Sequence, residues 1–156
     1  MFEISRTGSK SMNEMLDKKL CEAYPKIFVN RNASVQTTSM CWGFQHGDGW
    51  YNIINNLCRC IQHHIDSTNE RRELLLDENP YNIQIPDFVQ QVVAEQVKEK
   101  FGTLRFYYTG GDEFIHGLVT MAQVMTGVTC EDCGAPGHTQ GANWFRTVCD
   151  IHGENK

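Results

Sequence analysis

Residues 129–152 read TCEDCGAPGHTQGANWFRTVCDIH, and the spacing of their cysteines decides how the chain is organised. Cys130 and Cys133 form a C-x2-C pair; fifteen residues later Cys149 and His152 form a C-x2-H pair. A tetrahedral zinc site takes four soft or borderline ligands, and two close pairs deliver them at little loop-closure cost. Gly134 follows the first pair, where the backbone must turn so that its amides face the thiolates. Residues 143–148 (NWFRTV) predict a short strand that returns the second pair to the first. His138, inside the loop, is an alternative fourth ligand, but the paired spacing favours His152. The competing reading is two pairs of unrelated buried thiols, and the match to structural-site spacing speaks against it. Four filled positions leave none open for water, so the expected zinc is structural.

The rest of the chain is long enough for a core of its own. Its 156 residues fit an α+β core domain over 1–126 and a zinc-binding subdomain over 127–156. Hydrophobic residues at 40% and charged residues at 21% are those of an ordinary soluble domain. Nineteen acidic against fourteen basic residues give a net charge of -5, which disfavours a protein built mainly to hold duplex nucleic acid. The first residues, MFEISRTGSKS, lack an apolar signal segment, and no stretch reaches the length of a membrane span. Seven cysteines without a secreted-scaffold rhythm point to a reducing cytosol.

Residues 1–10 are polar and predict a frayed start. Ser11 with Glu14 forms a capping-box pattern, and Met12, Met15, Leu16 and Leu20 predict a helix over about 12–23, stopped by Pro25. Residues 26–30 (KIFVN) suit a short strand or a tether, and 31–40 a loop. Asp48 is placed to N-cap a core helix over about 49–66, whose Ile53, Ile54, Leu57, Cys58, Ile61 and Ile65 recur at helical spacing. Trp42, Phe44 and Trp50 are expected to plug one end of the core. Residues 67–87 read as a surface loop, with one helical turn possible over 70–76. The valine-rich run 88–101 fits either a helix or a strand. Residues 104–109 (LRFYYT) are a strand, and a strand needs a partner, so a hairpin turning at Gly102-Thr103 is preferred. A third helix starts at Asp112, with Ile115, Leu118, Val119, Ala122 and Met125 as its buried stripe, and ends near Gly127. The expected fold is α+β: three main helices, a small antiparallel sheet and a C-terminal zinc knuckle.

Residues 110–114 spell Gly-Gly-Asp-Glu-Phe, the signature pentapeptide of diguanylate cyclases. In those enzymes it sits in a hairpin turn, with a metal-binding aspartate on an earlier strand. Here it leads into a helical pattern with no companion motif. The structural reading accounts for each residue: the glycines end a strand, Asp112 caps, Glu113 favours the first turn and Phe114 packs. Cys58, Cys60, His63 and His64 crowd one helix end, and Cys60 with His64 suits a metal completed by Cys41 or His46; core packing of free cysteines is the better reading. On the hairpin, Arg105 and Tyr107 should face outward if Leu104, Phe106 and Tyr108 face the core. Lys98 and Lys100, with Arg146 from the zinc loop, would then complete a surface for an anionic ligand or a partner, the alternative being a solvated edge. No nucleophile–base pair, phosphate-cradling loop or paired carboxylates argue for an enzyme.

Three stretches together, CWGFQHGDGWYNIINNLC, EQVKEKFGTLRFYYTGGD and TCEDCGAPG…VCDIH, resemble a family of small proteins encoded by tailed bacteriophages and prophages. The similarity covers roughly residues 40–152. The family pattern has an acidic residue and a cysteine where Gln45-His46 stand here, so a role tied to that cysteine does not carry over. The resemblance implies an accessory protein in the cytoplasm of the bacterial host, with no activity attached. The leading expectation is a zinc-binding accessory protein that binds and modulates a host protein, a defence system among the candidates. A nucleic-acid or nucleotide-binding module comes second, and a metal-dependent hydrolase or nuclease third.

Overall fold

Every third or fourth residue of the stretch YNIINNLCRCIQHHI is buried, and the helix it forms is the spine of the molecule. The computed structural model describes residues 10–153, so the expected frayed start lies almost wholly outside the described residues. The elements run α1 (Glu14–Ala23), β1 (Phe44–Gln45), α2 (Tyr51–Asp77), β2 (Val93–Lys100), β3 (Thr103–Thr109), α3 (Glu113–Thr126), β4 (His138–Gln140) and β5 (Arg146–Val148). Ile54, Leu57, Cys58, Ile61 and Ile65 form the buried stripe of α2. They meet Ile115, Val119 and Ala122 of α3 and the inner face of the β1-β2-β3 sheet. No helix among the described residues is long and apolar enough to cross a membrane.

The sheet is mixed rather than antiparallel. β2 and β3 form the expected hairpin, but β1 lies along the other edge of β2 in parallel, Phe44 opposite Val97. A two-residue strand far from its partner in sequence leaves no alternation to read. The helix-or-strand ambiguity of residues 88–101 also has a physical source. A bulge between Ala94 and Gln96 resets the alternation, so the two buried positions Ala94 and Val97 fall three apart, as on a helix. On β3 the expected alternation holds: Leu104 and Phe106 are buried, and Tyr107 is exposed.

The hairpin turn is made by Phe101 and Gly102, both at positive φ (54° and 80°). A two-residue turn of this kind prefers Asn-Gly, and an aromatic residue in the left-handed region is strained by about 1 kcal/mol or more.

Five local expectations need correction. α2 runs eleven residues further than 66, to Asp77. Its last three turns expose Leu74 and Leu76 and are fastened through Asn69, which exchanges two hydrogen bonds with the Val89 backbone, and Arg72, which donates to the Pro86 carbonyl. Asp48 does not cap α2; its carboxylate receives the backbone N–H and the side-chain amide of Asn13 (2.8 and 2.9 Å), tying the start of α1 to the start of α2. α1 is capped by Asn13, whose Oδ1 accepts from the Leu16 amide, not by Ser11. Residues 26–30 are turns, with Ile27 and Phe28 buried. Phe44 and Trp50 do plug the core, whereas Trp42 stays half-exposed. Asp112 caps α3 as expected, accepting from the Ile115 amide at 3.0 Å.

Candidate metal centre

After α3 the chain has almost nothing apolar to fold around, and backbone hydrogen bonds set its course. The Cys130 amide donates to Ala135 (2.7 Å) and the Gly134 amide to Cys130 (2.8 Å), closing the C-x2-C loop with Gly134 at φ +78°. The β4–β5 hairpin pairs His138 with Val148 and delivers Cys149 beside that loop. His152 and Gly153 both donate to the Cys149 carbonyl, which turns the His152 ring inward.

The ligand atoms of Cys130, Cys133, Cys149 and His152 all lie within 4.8 Å of one another. Cys133 Sγ and Cys149 Sγ are 3.8 Å apart, and His152 Nδ1 lies 3.2 Å from Cys149 Sγ and 3.6 Å from Cys130 Sγ. A tetrahedron with metal–sulfur bonds of about 2.3 Å has sulfur–sulfur edges of about 3.8 Å. The residues present therefore fit a four-coordinate ion, and they form the only such group among the described residues.

The surroundings favour thiolates. Burial pushes the Cys130 thiol up, but the backbone amides of Cys149, Cys133 and Asp132 aimed at its sulfur outweigh this and bring it down to about 6. The His152 amide lowers Cys149. The Ala135 amide lowers Cys133 too, but desolvation and the neighbouring thiols leave it raised. Such crowding of anionic sulfur is what a cation relieves.

Two acidic residues between the cysteines hold the unit in place. Asp132 is clasped by Lys10 (2.5 Å) and Arg146 (2.7 Å). Glu131 is 2% exposed; it accepts the Gly47 amide at 3.0 Å and lies 3.6 Å from Arg146. Burial raises its pKa despite those partners. Three further bonds complete the seam: Gly49 N–H to the Glu131 carbonyl (2.8 Å), Trp50 Nε1 to the Thr129 carbonyl (2.9 Å) and Thr147 Oγ1 to the Gly102 carbonyl (2.6 Å). Sequence reasoning missed Glu131, Asp132 and Gly49, because only their distant partners reveal what they do.

The other candidate ligands are not brought together. His138 is exposed on β4, outside the cluster. Cys58 is fully buried in the core, Cys60 is exposed, and His64 Nε2 donates to the Asp112 carboxylate at 2.7 Å. Lys98, Lys100, Arg105 and Tyr107 do share the outer face of the hairpin, since Lys98 stands opposite Arg105 and Lys100 opposite Thr103. Arg146 does not join them: it is committed to Glu131 and Asp132.

His46 is fully buried beside Trp50, with Nδ1 donating to the Gly47 carbonyl and Nε2 without a partner. Burial lowers its pKa to about 4 from the usual 6.5. Between those values the unfolded chain takes up a proton that the folded one refuses, so stability is full above pH 6.5 and is lost as pH falls towards 4. The expected loss between pH 7.5 and 5 is about 2 kcal/mol. Denaturant titrations of the protein and of His46→Leu at both pH values check this, because metal release is common to the two. Equal pH slopes would remove His46 from the account.

No family model, no curated protein and no solved structure matches this chain.

Proposed function

We propose that the chain is a phage-encoded, zinc-stapled binding protein of the bacterial cytoplasm that docks a protein of the host, defence components being the partner class. Cys130, Cys133, Cys149 and His152 hold the zinc, whose part is to order the C-terminal unit. The carrying observation is the outer face of α3. From Phe114 to Cys130 there is no Asp, Glu, Lys or Arg. Met121, Val124 and Met125, with Val128 just past the helix, are 43–68% exposed, where a surface helix ordinarily carries polar side chains. Beside them a groove of about 310 Å³ between α2 and α3 is lined by Ile53, Leu57, Cys60, Leu118, Met121 and Met125. Contiguous exposed apolar surface marks docking sites, and methionine adapts its shape to a partner. The acidic charge and the family resemblance support a protein partner met during infection.

The test compares the wild-type protein with a Met121→Glu/Val124→Glu variant in pull-downs from infected cells. The wild type should recover one host protein near stoichiometrically and the variant at least tenfold less, with unchanged circular dichroism. Recovery of no stoichiometric partner by the wild type, or equal recovery by the variant, contradicts the proposal.

A further inference from the structure

On the face of the hairpin opposite its buried side chains, cations run towards the aromatic rings at its turn. Lys98 and Arg105 face each other across β2 and β3; one step along, about 7 Å, Lys100 faces Thr103. Among the described residues none of the three cations is paired with a carboxylate: the Arg105 guanidinium donates only to Thr103 Oγ1 and the Leu104 carbonyl. The next step is the turn, where Phe101 is 68% exposed and Lys100 Nζ lies 5.6 Å from its ring centre. Across from Phe101 stand Trp144 and Phe145, 54% and 45% exposed. Together these rings line a cleft of about 270 Å³ with Lys100, Asn143 and Glu99. The Glu99 carboxylate is engaged by the Gly102 amide at 2.7 Å.

The cleft is a built feature. Its two sides come from different units, locked together by the buried Thr147 hydroxyl on the Gly102 carbonyl. A Cβ on Gly102 would crowd Thr139 and Thr147 at 3.1 and 3.3 Å, so the turn is pressed against the β4–β5 hairpin. Phe101 is also held at φ +54°, where asparagine would sit more easily. A strained aromatic residue that buries little of its own ring contributes nothing to the fold that explains it.

We infer that this strip and cleft bind single-stranded nucleic acid. One unpaired base stacks among Phe101, Trp144 and Phe145, and the phosphates that follow run past Lys100 towards Lys98 and Arg105. Stacking platforms beside a basic track are the common solution for single strands, and every base offers a face to them. A duplex, whose bases are already stacked, cannot enter. This surface is distinct from the outer face of α3, so the molecule has one face for protein and another for a strand.

Fluorescence anisotropy with labelled (dT)12 and (rU)12, read at several salt concentrations, tests it on the zinc-loaded protein. Binding should quench tryptophan emission, and log K should fall against log salt with a slope of roughly -2, from about -0.7 for each of three neutralised phosphates. Lys98→Gln with Arg105→Gln should flatten the slope to roughly -0.7. Trp144→Ala should weaken binding at least tenfold and remove the quench. Phe101→Asn should weaken it similarly while raising the melting temperature, a combination that a merely structural Phe101 does not give. The Met121→Glu/Val124→Glu variant should bind the strand as the wild type does, so each surface stands or falls separately. No binding of either oligonucleotide, equal affinity for a duplex, or wild-type affinity in Phe101→Asn overturns the inference. A difference between the DNA and RNA arms identifies which strand is the natural one.

Discussion

A Cys133→Ser protein is expected to retain less than a tenth of the wild-type zinc and to lose amide protection across residues 129–153. The middle of α2, from Leu57 to Ile65, should keep its protection. The reason is how little apolar material the C-terminal unit buries. Its own cluster is Cys130, Val148 and Cys149 with part of Ala135, while Val128, Trp144, Phe145 and Ile151 remain exposed. Beyond its hydrogen-bonded seam with the core it has little to order it, and a structural zinc would supply on the order of 10 kcal/mol. Because the ligands bind as thiolates and neutral imidazole, metal should leave as pH falls, ahead of the core. Elemental analysis of protein never exposed to chelator should find one zinc per chain. Less than half an equivalent, or an unchanged exchange pattern in Cys133→Ser, would overturn the zinc assignment.

Gly49→Ala should destabilise the protein by about 5 kcal/mol and release the C-terminal unit with its zinc still bound. A Cβ on Gly49 would overlap the Cys130 carbonyl oxygen and come within 2.6 Å of the Gly134 nitrogen and 2.7 Å of the Glu131 carbonyl carbon. These are backbone atoms of a loop closed by its own hydrogen bonds, Cys130 N–H to the Ala135 carbonyl and Gly134 N–H to the Cys130 carbonyl, so they yield little. The seam must open instead, giving up the bonds of Gly47 and Gly49 to Glu131 and of Trp50 to Thr129. Three hydrogen bonds at about 1 kcal/mol each and an overpacking cost of 1–3 kcal/mol make up that estimate. Denaturant unfolding gives the size of the effect, and a zinc-sensitive dye shows whether the metal stays. A variant as stable as the wild type would mean that the two units do not depend on this contact.

What the sequence disclosed follows from how far each interaction reaches. The four ligands are legible because pairing and spacing are local facts about Cys130, Cys133, Cys149 and His152. So is the Asp112 cap, settled within a few residues, while the hairpin turn, expected at Gly102-Thr103, is made one residue earlier by Phe101-Gly102. The end of α2 was not legible. Residues 67–77 carry charged side chains with no core-facing stripe, and they stay helical through good propensity and through the hold of Asn69 and Arg72 on the 86–89 segment. Asp48 looked like a cap because its neighbours suit one, yet its carboxylate serves Asn13, 35 residues away. Arg146 looked like part of an open basic surface because its acidic partners, Glu131 and Asp132, gave no sign that they would be buried or clasped. In each miss the deciding partner lay at least fourteen residues away, beyond the reach of local pattern.

The seam between Gly47–Trp50 and Thr129–Glu131 joins segments about eighty residues apart, and this dictates an order of events during synthesis. The chain through α3 leaves the ribosome before any metal ligand does, and at a few to some tens of residues per second the interval lasts seconds. During it α2, the local β2–β3 hairpin and α3 can assemble, since every residue they pack together has already been made. The Gly47 and Gly49 amides and the Trp50 indole meanwhile face water, awaiting carbonyls not yet made. A metal taken by the four ligands would thus be captured after the core has formed: a nascent chain stalled before Cys149 would carry that core with an open flank, a defined point of entry for proteases.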